Sequence, residues 1–555
     1  MDGPDLETPL VRDASDGGGE GIGIDEMLER YAGEFGPWQL RHFVLTSLAW
    51  LLEAFHTMVM IFADRQPDWV CVGPGCRPGP ESGGVCGLEP GSWEWVGGPS
   101  GSTVSEFGLV CGDKYKVGLA QSAFFGGCMV GAGVFGHLSD SFLGRKGSLT
   151  TVCILCAIFG CLTALSPTYW AYALLRFLTG LSAGGVGLCA FVLATEPIGP
   201  SKRGPAGMST FYFFSGGIAL LSAIAYAFNT WRTLYLVTSL PALAYVLSVL
   251  PFLSESPRWY LVRGRTKDAM HVMHSIAARN GKRIPDGVSL ILDDDNNKKE
   301  SENAVSGKSV NETGMDNIKH KIINILLRSE LLQLQYFILD TNMDFFRIID
   351  RHGIGSLVDV MRSPVTRRRL ILTVVINFMT AIVYYGLSLN VVNLGTNVYL
   401  NVALNAVAEM PAFVLTAVLL NRLGRKPMAI GTMLFSGGFC LLGSLLSSSG
   451  DQGGGLGEAM RMGCGVLGIF GMAATYNLLF IYVAELFPTT VRNAALGCAT
   501  QAGHLGAIFA PMVVVLGGGT PFAVFGVSGI VGGLLVLYLP ETLNQRLYDT
   551  IEGMK

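Results

Sequence analysis

The chain has 555 residues, of which 50% are hydrophobic and only 15% are charged, and its formal net charge is −3. Soluble globular proteins carry about a quarter charged residues, so the composition excludes an ordinary soluble domain and indicates many membrane-spanning helices. A small negative charge offers no basis for binding nucleic acid.

The N-terminal segment MDGPDLETPLVRDASDGGGEG is acidic and rich in glycine. It has neither the positive start nor the apolar core of a secretory signal peptide. We therefore expect residues 1–40 to form a disordered cytoplasmic tail, so that membrane insertion depends on the first spanning helix.

Apolar runs of about 20 residues, the length that crosses a bilayer, recur through the rest of the chain. Twelve of them are found, near residues 43–62, 117–138, 148–166, 169–193, 206–228, 231–252, 369–390, 396–420, 428–448, 460–484, 492–516 and 521–539. The pattern predicts an all-α protein of the lipid bilayer, with one six-helix bundle over 41–252 and another over 369–540.

Lys and Arg are concentrated in every second connection between these runs, whereas the short connections 166–169, 391–396 and 517–520 contain none. Positive residues are retained on the cytoplasmic side, so both termini, including the tail 541–555, are predicted to be cytoplasmic. The plasma membrane is the favoured location and the vacuolar membrane is the alternative.

The first outer loop, 63–116, contains Cys71, Cys76, Cys86 and Cys111. Four cysteines in an oxidising compartment predict two disulfides, in any of three pairings. A metal site is the weaker interpretation, because no His accompanies them and their spacing is irregular.

The long loop 253–368 begins with a helical pattern and then changes to Asn, Lys, Ser and Ile after Asp295. Residues 296–352 are interpreted as a disordered insert, with an interfacial helix over 317–340 as the alternative. The tripeptide Gly307-Lys308-Ser309 lacks the Gly and the preceding strand of a nucleotide-binding loop, so no cofactor is expected.

Three landmarks recur in the same order in both halves of the chain. GHLSDSFLGRKG after the second run matches NRLGRKP after the eighth, ATEPIGPSKRG matches AELFPTTVRN, and SESPRW matches LPETLN. Three matches in register indicate two related halves. Transporters built from repeats bind their substrate at the interface between them.

These motifs resemble the major facilitator superfamily. The Cys-bearing outer loop with SEFGLVCGDKYK, WRTLYLVTSLPAL, ESPRW and YYGLSLNVVNLGTNVYLN further resemble its organic ion branch, and most closely the plant organic cation/carnitine transporters. The resemblance implies two pseudo-symmetric six-helix bundles and a secondary active transporter that moves organic cations or zwitterions such as carnitine by alternating access. It also implies an inner gate of charged residues, namely Asp140, Arg145, Lys146, Glu196, Arg203, Arg425, Glu485 and Arg492.

Ionisable residues within the apolar runs are costly and therefore mark candidate sites. Glu409 lies in the middle of the eighth run, where the resemblance implies a functional acid that holds a cationic substrate. Tyr384 and Tyr385 could bind a quaternary ammonium through cation–π contact, and we expect one of the two to line the pore. A lipid-facing position or ordinary core packing is the alternative for each tyrosine.

His504 in the eleventh run stands where the organic ion branch carries either Asp or Arg. It is a candidate substrate-binding residue, since histidine titrates near physiological pH. A histidine hydrogen-bonded between helices is the equally weighted alternative.

Glu53 and Arg176 are the remaining buried charges, and both fall in the outer half of their helices. We expect them to pair, because each would be costly alone. The pair is either a permanent structural salt bridge or a proton-coupling site that opens and closes during transport, with another coupling ion as the alternative.

Other functions are compatible with parts of the sequence. A sugar or polyol porter shares ESPRW, but Val383-Tyr384-Tyr385-Gly386 stands where paired glutamines are expected. An organic anion porter or a non-transporting membrane sensor also stays open. An enzyme is not expected, because no metal-ligand cluster, nucleophile elbow or nucleotide loop is found.

Overall fold

The computed structural model describes residues 21–73, 76, 84–89, 91–291, 357–394, 396–448, 454–488 and 491–543. The expected disordered insert over 296–352 lies outside these ranges. The long helices are α1 (Pro37–Met58), α2 (Tyr115–Asp140), α3 (Gly144–Ala164), α4 (Tyr169–Thr195), α5 (Pro200–Ala227), α6 (Trp231–Ser248), α7 (Pro364–Leu389), α8 (Val398–Leu423), α9 (Arg425–Ser448), α10 (Gly454–Leu486), α11 (Arg492–Val515) and α12 (Thr520–Val536).

The number of apolar helices agrees with the sequence pattern. Within the described ranges, eleven helical segments are long and apolar enough to cross a bilayer, and the 17-residue α12 is a shorter apolar helix. The predicted twelve-helix membrane fold is therefore confirmed.

Small residues bring α2 and α4 into close contact. A Cβ on Gly127 or Gly131 of α2 would lie 2.1 or 1.9 Å from a carbonyl oxygen of α4. A Cβ on Gly180 or Gly184 of α4 would lie 2.0 or 2.3 Å from a carbonyl oxygen of α2. Both pairs are spaced by four residues, which places them on one helix face, and small residues at this spacing let membrane helices approach closely.

Two antiparallel helix pairs join the six-helix halves. In the α2–α11 pair, Ser122 Oγ donates to the Ile508 carbonyl at 2.6 Å. In the α5–α8 pair, Ser222 Oγ donates to the Tyr399 carbonyl at 2.6 Å. Further along the same pair, Ser215 meets Glu409. We call the α5–α8 pair the seam, because these two polar contacts join the two halves along it.

The two ends of the helix bundle carry different kinds of connecting segment. The disulfide end carries the segment between α1 and α2, where β2 (Trp69–Cys71) pairs antiparallel with β3 (Trp93–Trp95). Disulfides join Cys71 to Cys76 and Cys86 to Cys111, with a Cα–Cα distance of 5.5 Å in both. Of the three pairings left open by the sequence, the structure therefore shows this one. The opposite end carries the repeated charged loops and is called the signature end.

Among the described residues, a second compact unit is formed by 21–42, Glu196–Arg203 and 255–291. Its β1 (Gly21–Ile22) pairs in parallel with β4 (Ser289–Leu290). Met27, Leu28 and Trp38 are buried in one cluster with Met273 and Ile276 of the helix Thr266–Arg279.

The prediction of a disordered tail over residues 1–40 is wrong for residues 21–40. Their apolar side chains find a hydrophobic partner in the helix that follows SESPRW, and this burial gives them a folded structure. Residues 1–20 lie outside the described ranges.

Candidate functional site

Glu409 is the central polar residue of the seam. Its side chain is 1% exposed and lies near the middle of α8. Ser215 Oγ of α5 donates to Glu409 Oε2 at 2.5 Å, and the Tyr384 hydroxyl of α7 donates to Oε1 at 3.1 Å. The carboxylate is thus held by one donor from each half of the transporter-like core.

Aromatic rings surround this carboxylate. The ring of Tyr384 stacks on that of Tyr476 of α10 at 5.2 Å between centroids, and the ring of Tyr385 lies 5.2 Å from Tyr384. Tyr385 in turn contacts Phe125 of α2 at 4.9 Å. Aromatic faces beside a carboxylate form a suitable environment for an organic cation, which both attract.

The space beside Glu409 is small in this conformation. A cavity of about 10 Å³ is lined by Met58, Ile61, Ile218, Ser388, Val402, Asn405, Ala406 and Glu409. That volume is about one water probe, so a larger ligand requires the halves to separate. Phe211 of α5 meets Phe413 of α8 towards the signature end, at 6.0 Å, and Phe62 stacks on Tyr399 towards the disulfide end, at 5.5 Å. Aromatic contacts between the halves therefore lie on both sides of the carboxylate.

The predicted substrate-binding residues are only partly brought together. Glu409, Tyr384 and Tyr385 share one neighbourhood, and Tyr384 is the tyrosine whose hydroxyl reaches the carboxylate. His504 lies on α11 and forms no hydrogen bond or ring contact within the part of the chain that the structure describes. The alternative of a histidine hydrogen-bonded between helices is therefore not observed in this conformation.

The predicted pair of Glu53 and Arg176 is not formed in this structure. The Glu53 carboxylate packs against Gly187 of α4, where an added Cβ would lie 2.3 Å from Oε2. Arg176 precedes Gly187 by eleven residues on the same helix, a rise of about 16 Å. Arg176 Nη2 instead donates to the His56 carbonyl at 3.2 Å, and its guanidinium lies 4.2 Å from the ring centroid of Phe124. The way in which α1 packs against α4 therefore keeps Glu53 and Arg176 apart, although pairing the two charges would lower the cost of burying them.

Glu53 and Arg176 each have buried polar atoms that lack a hydrogen-bond partner among the described residues. Glu53 Oε2 and the Nε and Nη1 atoms of Arg176 are buried and have no hydrogen-bond partner. Buried charged groups without partners are costly, so both residues gain if they meet other polar groups in another conformation.

Asp64 is absent from the predicted set but belongs to this polar region. Its carboxylate, 5% exposed, accepts hydrogen bonds from Tyr172 at 2.6 Å, Thr103 at 2.8 Å and Gln121 at 3.3 Å. The Tyr172 hydroxyl is also 2.9 Å from that of Tyr235, whose ring lies 5.5 Å from the Arg176 guanidinium. In the sequence, Asp64 comes just after the first apolar run and therefore resembles an ordinary loop residue.

The signature loops form local charge contacts. Asp140 pairs with Arg145 at 2.7 Å, and Lys146 donates to the Leu253 carbonyl at 2.7 Å. In the second half, Arg425 forms a two-pronged pair with Glu485, with both N–O distances at 2.9 Å. Arg492 begins α11.

Glu541, from the LPETLN landmark, caps the start of α9. The backbone N–H groups of Arg425 and Lys426 donate to its carboxylate at 2.9 and 3.0 Å. Partial burial opposes the charged form, but hydrogen bonds from four backbone N–H groups outweigh it and hold the pKa of Glu541 below its usual value. The carboxylate therefore stays ionised and attached to α9 at neutral pH.

Glu196 and Arg203 belong to the second compact unit. Arg203 pairs with Asp25 at 2.6 Å, and Arg258 also donates to Asp25. Asp25 was placed in the predicted tail, so its role as the carboxylate shared by two arginines was missed.

Comparisons with known proteins agree with this architecture. The family profile described as "Sugar (and other) transporter" matches residues 98–329 and 343–552. The chain is 60% identical to "Organic cation/carnitine transporter 4" of Arabidopsis thaliana, covering 98% of this chain and 93% of that protein. It is 29% identical to "Organic cation transporter protein" of Drosophila melanogaster, covering 96% and 94%.

Solved structures share the fold at low sequence identity. The xylose transporter XylE from E. coli, in a partially occluded inward-open conformation, superposes with a TM-score of 0.60 at 17% identity, covering 92% of this chain and 100% of that one. The family profile and the named relatives, together with this fold, define a secondary transporter of the major facilitator superfamily, a class of transport proteins and not of enzymes. Within it, the chain belongs to the sugar (and other) transporter family.

Proposed function

We propose that this transporter carries organic cations, or zwitterions with a quaternary ammonium group such as carnitine, and that Glu409 holds the cationic group. The observation that carries the proposal is the position of the Glu409 carboxylate. It lies buried in the seam, accepts hydrogen bonds from Ser215 and Tyr384, and is surrounded by tyrosine rings. The names of the relatives, organic cation or carnitine transporters, point to the same substrate class.

Binding and gating are coupled at the seam. A cation that pairs with Glu409 competes with the Ser215 hydroxyl of the other half, so substrate entry weakens one contact that closes the seam. The charge pairs Asp140–Arg145 and Arg425–Glu485, together with Lys146 and Arg492, then act as the gate at the signature end. Glu196 and Arg203, which lie in the second compact unit, are proposed as further gate residues. Rocking of the two halves exposes Glu409 to each side in turn.

Glu53 is proposed to be the proton-coupling carboxylate. In the observed conformation it lacks a partner, and burial without one favours its neutral, proton-bound form. A conformation that brings it to Arg176 favours its ionised form, because the guanidinium stabilises the charge. Proton binding and release then follow the conformational cycle. A different coupling ion remains the alternative.

The signature end is proposed to face the cytoplasm and the disulfide end to face away from it. The distribution of Lys and Arg and the presence of two disulfides at one end support this orientation. The plasma membrane is proposed as the location, with the vacuolar membrane as the alternative. Accessibility of epitopes at each terminus in intact cells tests the orientation, and a fluorescent fusion tests the location.

One uptake screen tests the substrate class. Purified protein in proteoliposomes is given labelled carnitine, choline, a polyamine or glucose, with and without an inward proton gradient. Accumulation of carnitine, choline or the polyamine, strengthened by the gradient, is the expected result. Uptake of glucose alone contradicts the proposal and favours a sugar porter, and no uptake of any compound favours a non-transporting sensor.

A further inference from the structure

A second cavity, of about 790 Å³, lies at the disulfide end. Its walls come from both halves: the residues that follow α1, the starts of α2 and α8, the ends of α7 and α11, and the segment that carries the disulfides. Ile61 lines both this cavity and the small one beside Glu409. The volume falls within the range of ligand-binding pockets, so a ligand can dwell there before the central site opens.

The cavity presents charges of both signs. Asp64 and Asp68 supply two carboxylates, and Arg65 and Lys114 supply two cations. A purely cationic ligand gains nothing from the two basic residues, whereas a ligand that carries both charges can satisfy a group of each sign.

Arg65 is held mainly by an aromatic ring. Its guanidinium carbon lies 5.4 Å from the centroid of Tyr399, within the range of a cation–π contact. Among the described residues it forms no ion pair, and the neighbouring Asp64 carboxylate accepts its hydrogen bonds from Tyr172, Thr103 and Gln121 instead. A cation held in this way is displaced more easily than one in a buried ion pair, since one cation on the ring replaces another.

Tyr399 is a fixed platform rather than a mobile side chain. Its ring stacks on Phe62 at 5.5 Å and meets the edge of Tyr226 at 5.6 Å, and its carbonyl accepts the hydrogen bond of Ser222. A cation on this ring therefore sits beside the Phe62–Tyr399 contact, at the end of the seam that borders the large cavity.

We propose that the cavity at the disulfide end is a first binding site for zwitterionic quaternary ammonium compounds, in which the ammonium group replaces Arg65 on Tyr399 and the carboxylate of the ligand pairs with the displaced guanidinium. This inference rests on the proposed function and adds selectivity for zwitterions over simple cations. Arg65 acts as a tethered competitor towards a simple cation and as a partner towards a zwitterion.

The test measures binding of two probes, tetramethylammonium and carnitine, to purified full-length protein in nanodiscs. All variants carry Glu409→Gln, which removes the proposed central site, and thermal melting checks that each is folded. With Arg65 present, carnitine is expected to bind more tightly than tetramethylammonium. Arg65→Gln is expected to tighten tetramethylammonium binding by about two- to thirty-fold, the worth of one cation–π contact, and to weaken carnitine binding.

Two variants of Tyr399 complete the test. Tyr399→Leu is expected to weaken binding of both probes, and Tyr399→Phe, which keeps the ring, to preserve both affinities. The proposal would be overturned if Arg65→Gln changed the affinity for both probes equally, or if Tyr399→Leu left both affinities unchanged. If Glu409→Gln does not fold, the concentration of each probe that inhibits uptake by half is measured for the wild type and for Arg65→Gln. In Arg65→Gln this concentration is expected to fall for tetramethylammonium and to rise for carnitine.

The outcomes also separate this site from the central one. If organic cations are not transported but the opposite shifts occur, the proposed function fails and the cavity proposal stands. If transport depends on Glu409 while neither Arg65 nor Tyr399 changes binding, the cavity proposal fails alone.

Discussion

Glu53 and Glu409 are both carboxylates within the membrane-spanning helices, but their surroundings differ. Glu409 accepts hydrogen bonds from Ser215 of the first half and Tyr384 of the second. Glu53 lies within the first half against Gly187 and leaves Oε2 without a partner. The hydrogen bond from Ser215 to Glu409 forms only when the two halves are close together, so the surroundings of Glu409 change when the seam opens. Among the described residues, no donor holds the Glu53 carboxylate, so a proton can bind to it without displacing a hydrogen bond. This difference is the basis of the proposal that Glu409 binds the substrate and that Glu53 couples transport to protons.

The largest effect is expected for Glu409→Gln. Removing the charge leaves a bound ammonium group buried without its anion, which costs about 2–5 kcal/mol. We expect uptake efficiency at low substrate concentration to fall by at least about 30-fold. Substrate binding and initial rates in proteoliposomes check this. Glu53→Gln is the matched control and should bind substrate normally. Unchanged affinity in Glu409→Gln would remove the basis of the comparison.

Glu53→Gln is expected to uncouple transport without stopping it. Glutamine cannot bind and release a proton, so exchange of substrate should persist while accumulation driven by a pH gradient is lost. The wild type should accumulate more substrate as the outer pH falls, and the variant should show no such dependence. Gly187→Ala, which forces the Glu53 carboxylate to move, should weaken the same dependence, whereas Gly133→Ala, with open space around it, should not.

Asp64→Asn sharpens the assignment further. If accumulation by Glu53→Gln stays as steep as in the wild type while Asp64→Asn abolishes it, coupling belongs to the Asp64–Tyr172–Tyr235 network.

The smallest effect is expected for Ser215→Ala. The serine competes with the substrate for Glu409, so its removal should tighten substrate binding by about two- to ten-fold, the net worth of a hydrogen bond. The loss of a contact in the seam should at the same time lower the maximal rate. Ser222→Ala removes a seam contact that does not involve Glu409 and should leave affinity unchanged. Weaker binding in Ser215→Ala would mean that the hydroxyl positions the carboxylate instead of competing for it.

Several features of this protein were determined by the sequence alone. Helix number follows from the lengths of the apolar runs, and the two-half organisation follows from three landmarks repeated in register. Glu409 was identifiable because a charge in the middle of an apolar run is costly wherever its helix packs.

Only the tertiary structure decided which residues meet. Ser215, Tyr476 and Asp64 look like ordinary helix or loop residues until α5, α7, α8 and α10 place them around a carboxylate or a cavity. Residues 21–40 look disordered until Thr266–Arg279 offers them an apolar partner. Charge economy predicted that Glu53 pairs with Arg176, but the level at which α1 meets α4 sets Glu53 against Gly187 instead. That level depends on the packing of whole helices, which no local pattern of residues encodes.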